Sequence, residues 1–387
     1  MRIAIDGRAL TGRFTGDRTY WRNLLRALLR LDTENAYRVY TRVPIPEGEI
    51  PAAPNLACRV VPAANDRLWT ALALPRAVRQ DRADLLHVQY TAPPRSPCPV
   101  VTTVHDISFR LFPEWYTLRD RVLLNATVPP SMRRAARIIT DSESSRQDML
   151  RVYRLPPEKI AGIPLGLPEE FMRVLQGSQA IGQNISVQEE ARRTVAERFG
   201  LERPFVLAVG VLQPRKNLPV LAEAFGRAKA AHRLPHPLVL VGKAGWLTEQ
   251  EALRQAAARG GGTEAAEAVI FPGYVADADL PLFYRACELF AHPALYEGFG
   301  IPPLEAMACG APVVVSDAPA LPEVVGDAAR IVPARDVAAW AEALAALLTD
   351  PALRADLAAR GPRRAACFSY ETTAQQTLAI YREAAGK

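Results

Sequence analysis

A chain of 387 residues is too long for one ordinary hydrophobic core, and 49% hydrophobic with 23% charged residues is the balance of a globular protein in water, so two soluble domains are expected. No apolar run nears the ~20 residues needed to cross a bilayer, the start Met1-Arg2-Ile3-Ala4-Ile5-Asp6 reads as a strand and not a secretory leader, and five scattered cysteines without a C-x-x-C pair argue against a disulfide framework or structural zinc. The net charge of +6 gathers in residues 1–170, which hold 25 Lys+Arg against 18 Asp+Glu, and Lys159 is the one lysine among them.

In the first half, strands are expected at Ile3 to Asp6, Tyr37 to Thr41, Leu85 to Val88, Val100 to Val104 and Ile138 to Thr140. Tyr20, Trp21, Leu24, Leu25, Leu28 and Leu29 form one apolar stripe with Arg22, Arg26 and Arg30 opposite, which predicts a helix over Tyr20 to Leu31. Pro129-Pro130 is expected to break or kink the helical stretch between Trp115 and Ala136. Gln176 to Gln188 is rich in Gly, Ser, Gln and Asn and reads as a linker.

A second series of strands follows at Phe205 to Val209, Leu238 to Val241, Val269 to Phe271, Leu289 to Ala291, Pro312 to Val315 and Arg330 to Val332. Ala338 to Leu348 and Thr372 to Ala384 read as helices. Alternating strands and helices predict an α/β protein of two facing Rossmann-like domains with an interdomain cleft, ligands being met at the carboxyl ends of the strands. The expected divisions are 1–175, a linker at 176–200, a nucleotide-binding domain at 201–368, and a helix over 369–387 that crosses back to the first domain.

Tyr296-Glu297-Gly298-Phe299-Gly300-Ile301-Pro302-Pro303-Leu304-Glu305 is the densest signal. Prolines suit a first helical turn, the glycines before them let backbone N–H groups meet an anion, and Glu297 and Glu305 can accept hydrogen bonds from sugar hydroxyls. Gly210-Val211-Leu212-Gln213-Pro214-Arg215-Lys216-Asn217 follows a strand and offers two cations for a diphosphate. His105-Asp106 ends another strand, where His105 could sit by the reacting sugar and Asp106 orient it or the acceptor hydroxyl. Gly16 lies in a glycine-containing loop before the first helix, and Gly242, Lys243, Tyr274 and Val275 are further candidates for lining the nucleotide. A turn that merely needs positive φ would explain Gly16 as well, and a structural His-Asp pair fixing the following loop is the alternative for His105 and Asp106.

These stretches, with Phe112-Pro113, Asp141-Ser142-Glu143-Ser144-Ser145 and Ser369-Tyr370-Glu371-Thr372-Thr373-Ala374, resemble the retaining glycosyltransferases of family 4, the group 1 transferases of GT-B fold, in family order along nearly the whole chain. The resemblance implies that Glu297 binds sugar hydroxyls beside the reacting carbon and that Glu305 holds the ribose. It places the diphosphate on Arg215, Lys216 and the backbone around Gly298, Phe299, Gly300 and Ile301, with His105 by the transferred sugar and Gly16 facing the phosphates. Arg18 stands where the family commonly has a second glycine, and Val211 where it often has an arginine.

The expected activity is retaining transfer of a sugar from a nucleoside diphosphate donor, GDP-mannose ahead of UDP-sugars, to a glycan or lipid-linked acceptor in cell-surface polysaccharide synthesis. No cofactor and no metal are expected, Arg215 and Lys216 supplying the neutralising charge. No strand is followed by G-x-G-x-x-G, which excludes a dehydrogenase. The arginine-rich half suits peripheral contact with an anionic membrane face, or is an ordinary solvated surface. The rival from another class is a non-catalytic nucleotide-sugar or nucleic-acid binding module, although no nucleic-acid partner is expected.

Overall fold

The computed structural model describes all residues except 13–15, 182–184, 244–248, 274 and 387, with the backbone alone at 178–181 and 185–186. The chain forms two compact units, Met1–Gly166 with Ser369–Lys387, and Leu167–Phe368.

The first unit holds seven parallel strands: β1 Arg2–Asp6, β2 Ala36–Thr41, β3 Leu56–Val60, β4 Leu85–Gln89, β5 Val100–Thr103, β6 Arg137–Thr140 and β7 Ile160–Gly162. Their order is β3-β2-β1-β4-β5-β6-β7. Ile3, Ala4 and Ile5 of β1 are wholly buried, as expected of a parallel strand covered on both faces by helices. The helix Gly16–Leu31 turns Tyr20, Trp21, Leu24, Leu25 and Leu28 into this core. Trp21 and Trp69 are both fully buried; at about 25 cal/mol per Å² over 150–250 Å², each contributes roughly 4–6 kcal/mol.

The helix Tyr370–Ala384 belongs to the same unit, capped by Ser369, whose hydroxyl accepts from Thr372 N. Its Tyr381 is fully buried and hydrogen-bonded at 2.6 Å to His87 Nδ1 on β4, and His87 Nε2 in turn lies 2.8 Å from Thr103 Oγ1 on β5.

The second unit repeats the plan with β8 Val206–Val209, β9 Leu238–Val241, β10 Val269–Gly273, β11 Leu289–His292, β12 Val313–Ser316 and β13 Arg330–Val332, all parallel and ordered β10-β9-β8-β11-β12-β13. Both sheets therefore share the 3-2-1-4-5-6 order of dinucleotide-binding folds. The strand order reverses between β1 and β4 in one and between β8 and β11 in the other, and a crevice opens at such a point beyond the carboxyl ends.

Three expectations are corrected. The stretch read as a linker is helical, in Glu169–Ile181 and Ile185–Phe199, and lies within the second unit. Ala191 and Val195, one turn apart, are buried there, and Arg192 donates to Ala286 O and pairs with Glu288, so the helix Ile185–Phe199 is docked and not a spacer. Of the break or kink expected at Pro129-Pro130, the break is absent: the helix Leu118–Arg134 runs through both prolines. The edge strands β3 and β7 were not expected, the first lacking a β-branched run and the second spanning three residues.

Candidate functional site

The carboxyl edge of the second sheet gathers most of the expected residues. After β8 the chain turns at Gly210 and runs through the short helix Pro214–Lys216 into the helix Leu218–His232. After β11 it enters the loop that ends at the helix Ile301–Ala308, with both prolines in its first turn. Leu295 N donates to Arg215 O at 2.8 Å, and Asn217 Nδ2 donates to the carbonyls of Pro293 and Ala334, so the two loops are fixed against each other by backbone.

Two glycines are required by geometry. Gly242, just past β9, has φ +155° and a Cβ there would stand 1.9 Å from Gly210 O, so only glycine lets the β8 and β9 loops close up. Gly300 has φ +119° as the residue before the helix Ile301–Ala308, and a Cβ there would meet Leu321 Cδ2 at 2.7 Å.

Glu297 is the centre of the site. Its Oε1 accepts from Lys216 Nζ at 2.6 Å and lies 3.1 Å from His292 Nε2, while Oε2 accepts from Arg215 Nη1 at 3.2 Å. Burial works against its charge, but Lys216, Arg215 and His292 outweigh that and hold the carboxyl well below the usual range. Burial lowers the Lys216 ammonium, with Glu297 opposing, and burial together with Lys216 keeps His292 neutral. Two basic side chains, Lys216 and Arg215, thus share one carboxylate. Lys216 and His292 also line a hollow bounded by Gly210, Leu212, Val241 and Pro293, at the point where the strand order reverses.

Glu305 behaves differently. It is buried on the helix Ile301–Ala308 and accepts from Tyr284 OH at 2.9 Å. Burial, reinforced by Glu170 and Asp277, pushes its carboxyl up to about 8 against the effect of Tyr284 and Lys216. Lys216 is thus coupled to both glutamates, one ionised and one protonated at neutral pH.

The remaining candidates of this unit divide. Gly298, Phe299 and Gly300 form the buried turn before the helix and Ile301 opens it, Phe299 packing on Phe368. The Lys243 side chain is exposed and its carbonyl accepts from Leu212 N, which ties the two loops together. Val275 is buried, and Tyr274 lies outside the described residues. The expectation of metal independence leaves out an Asp-x-Asp pair, Asp277 and Asp279; both Asp279 oxygens take the Arg198 guanidinium. Among the described residues no three His, Cys, Asp or Glu side chains are grouped to hold a metal ion.

The first unit has its own constellation, also beyond the strand ends. His105 Nδ1 lies 2.7 Å from Asp141 Oδ2, and Nε2 faces the Gln89 amide at 2.9 Å and Asp17 Oδ1 at 3.6 Å. Tyr20 and Tyr90 present to the imidazole edge-on. Tyr90 adopts φ +56°, strain of a kind that collects at functional sites. Burial would pull His105 down, but Asp141, Asp17 and Asp106 overcome it and push it up to about 9, while burial lifts the Asp141 carboxyl.

Asp106 does not orient His105. Its Oδ1 accepts from Ser108 N and Oγ, bracing the next turn, and Asp141 takes the orienting place. Gly16 is the first residue of its helix, and a Cβ there would meet nothing within 4 Å. Arg18 reaches Glu49 with two nitrogens and Gly12 O with a third, so its side chain is engaged with Glu49 and Gly12. Sequence reasoning missed His292, Asp17, Gln89 and Tyr284, and quoted Asp141 without a role. His292 and Gln89 end their strands and Asp141 directly follows its own, the signal that singled out His105.

The family model described as Glycosyl transferases group 1 matches residues 191–364, and Glycosyltransferase Family 4 matches 15–171. The chain is 35% identical over 292 residues to O-antigen chain mannosyltransferase B of Escherichia coli, covering 73% of this chain and 70% of the relative. It is 30% identical over 245 residues to the serotype-specific mannosyltransferase WbdA of Escherichia coli, covering 63% of this chain but 28% of WbdA. Sucrose-phosphate synthase from Thermosynechococcus elongatus has a similar structure, with a TM-score of 0.72 at 21% identity over 99% of this chain and 98% of that one. The two parallel sheets, the ordered glutamate and basic motifs and these matches make one statement: the chain belongs to the group 1 glycosyltransferases of family 4 and has the two-domain GT-B fold.

Proposed function

We propose that this glycosyltransferase moves mannose from GDP-mannose to a hydroxyl of a glycan or lipid-linked acceptor in the synthesis of a cell-surface polysaccharide, with retention at the anomeric carbon. The observation that carries the reading is the buried Lys216–Glu297–Arg215 cluster at the strand-order reversal of the second sheet. The mannosyl donor is favoured by the similarity to two mannosyltransferases.

As the glycosidic bond stretches, negative charge grows on the leaving phosphate. Lys216, Arg215 and the backbone N–H groups of Phe299 and Gly300, just before the helix Ile301–Ala308 whose prolines have none to offer, supply positive charge and dipoles for it, an arrangement worth several kcal/mol in the transition state. The same groups can neutralise a diphosphate without a metal ion. Glu297 is engaged by three donors, which suits a hydrogen-bonding carboxylate better than a nucleophile. Attack on the same face, the leaving phosphate taking the acceptor's proton, is the route that follows. Glu305, protonated beside Tyr284, can both donate to and accept from a ribose hydroxyl.

The test is a thermal-shift series with GDP-mannose, GDP and UDP-sugars, since a ligand stabilises in proportion to its saturation. It is followed by NMR of the product anomer with and without chelator. Stabilisation by GDP-mannose, released GDP and a retained α-linkage in chelator support the proposal. Intact bound donor supports the binding-module alternative, and a β-linkage ends the retaining mechanism.

A lipid-linked acceptor would be met at an anionic surface. Leu118 and Val122 are 75% and 60% exposed at the start of the helix Leu118–Arg134, beside exposed Arg119 and Arg121. Vesicles containing anionic lipid should sediment the protein, and Leu118→Ser with Val122→Ser should weaken that without lowering turnover of a soluble acceptor.

A further inference from the structure

Glu297 divides its carboxylate oxygens between unlike partners. Oε1 is shared by Lys216 and His292, whose side chains are 10% and 3% exposed, whereas Oε2 meets Arg215, whose side chain is 26% exposed. A neutral imidazole facing a carboxylate oxygen must carry its proton on Nε2, so His292 donates to Oε1. The His292 ring is itself fixed: it ends β11 and stacks on Phe290, with centroids 6.1 Å apart and planes 22° apart. Lys216 reaches Oε1 on a flexible four-carbon stem and pulls without setting direction. Setting the plane of the carboxylate therefore falls to the rigid ring.

We infer that His292 is a positioning residue that anchors Oε1 of Glu297, so that Oε2 is the oxygen offered to the sugar once Arg215 turns from it to the donor diphosphate. The two adjacent cations then act differently. Lys216 stays with Glu297 throughout, and Arg215 exchanges a carboxylate for a phosphate, a change that its planar fork and partial exposure permit. This inference rests on the donor reading above, and it goes further by giving each oxygen of Glu297 a separate partner before and during catalysis.

The experiment uses the full chain with His292→Leu and His292→Gln, measuring turnover of GDP-mannose and binding of GDP alone, which has no sugar for Glu297 to meet. His292→Leu should lower kcat roughly 100-fold, the loss that misplacing a reacting group by about 1 Å brings, with the Kd for GDP unchanged. His292→Gln, whose amide N–H can reach the same oxygen, should recover most of the loss. Wild-type kcat in His292→Leu overturns the inference. So does a parallel fall of kcat and GDP affinity that glutamine does not restore, since that is the pattern of a residue that only supports the fold. If the unsubstituted protein turns over neither GDP-mannose nor a UDP-sugar, the donor reading fails and takes this inference with it, a result already visible without any substitution.

Discussion

His105 Nδ1 and Asp141 Oδ2 stand 2.7 Å apart across 36 positions of sequence, because β5 and β6 are neighbouring parallel strands that end together. The acid raises the proton affinity of the imidazole against the pull of burial. Asp141→Asn should therefore lower the His105 pKa from about 9, read from the imidazole C–H shifts by NMR. The sign for stability follows from a raised folded pKa. The stabilisation that proton binding by His105 brings is full below its unfolded pKa of 6.5 and is lost as pH rises through about 9, and the variant should show a flatter stability profile over that window. An unchanged His105 titration in Asp141→Asn would refute the assignment.

Removing Lys216 leaves a carboxylate that is 6% exposed with one cation fewer. Breaking a buried pair from one side costs about 3–5 kcal/mol, and Arg215 and His292 remain to moderate it, so Lys216→Met should lose about 3 kcal/mol in urea unfolding. Turnover should fall by about 100-fold or more, the usual effect of removing one fixed donor from a developing charge. Full activity in a folded Lys216→Met would remove lysine from the site.

Glu305 makes stability depend on pH in the direction opposite to an ordinary carboxylate. Its folded pKa, about 8, lies above the unfolded 4.5, so the folded state binds more protons between those limits and stability declines as pH rises through them. Glu305→Gln should be flat where the wild type slopes. Unfolding free energies at pH 5, 7 and 9 decide it, and parallel curves for the two proteins would count against a protonated Glu305.

Gly242→Ala and Gly300→Ala should fail in different ways. Alanine at 242 collides with a carbonyl oxygen at 1.9 Å and cannot relax without moving a strand end, which should cost about 3 kcal/mol and lower Tm by several degrees. Alanine at 300 meets the tip of a leucine, which can yield, so its Tm should fall less while donor affinity weakens through the displaced helix start. Equal Tm losses with unaltered donor binding would show that the Gly300 turn plays no part in recognition.

Much of the fold was legible because buried parallel strands are short apolar runs. Ile3 to Asp6, Leu238 to Val241 and Leu289 to Ala291 lie within, or coincide with, β1, β9 and β11. The glutamate and basic motifs were legible because Gly300, Pro302 and Pro303 leave few backbone choices. What escaped depended on tertiary contact. The helix Ile185–Phe199 hides in a polar composition and is held by packing on Leu280–Ala286 and by the pair Arg192–Glu288. Pro129 and Pro130 sit inside a helix whose residues Val128 and Met132 are held in the core. Asp106 lost its expected role to Asp141 because adjacency in sequence is a poorer guide than adjacency of strand ends, and the same holds for His292 beside Glu297.

The first unit is interrupted in sequence by the whole of the second, and it regains its core only when Tyr381 reaches His87. During synthesis the amino-terminal strands must wait, exposed at that seam, until more than two hundred further residues have left the ribosome, while the second unit can close earlier. A released chain cut after Phe368 should therefore hold a finished second unit and an incomplete first one, which makes the early half of the chain the part most in need of a chaperone.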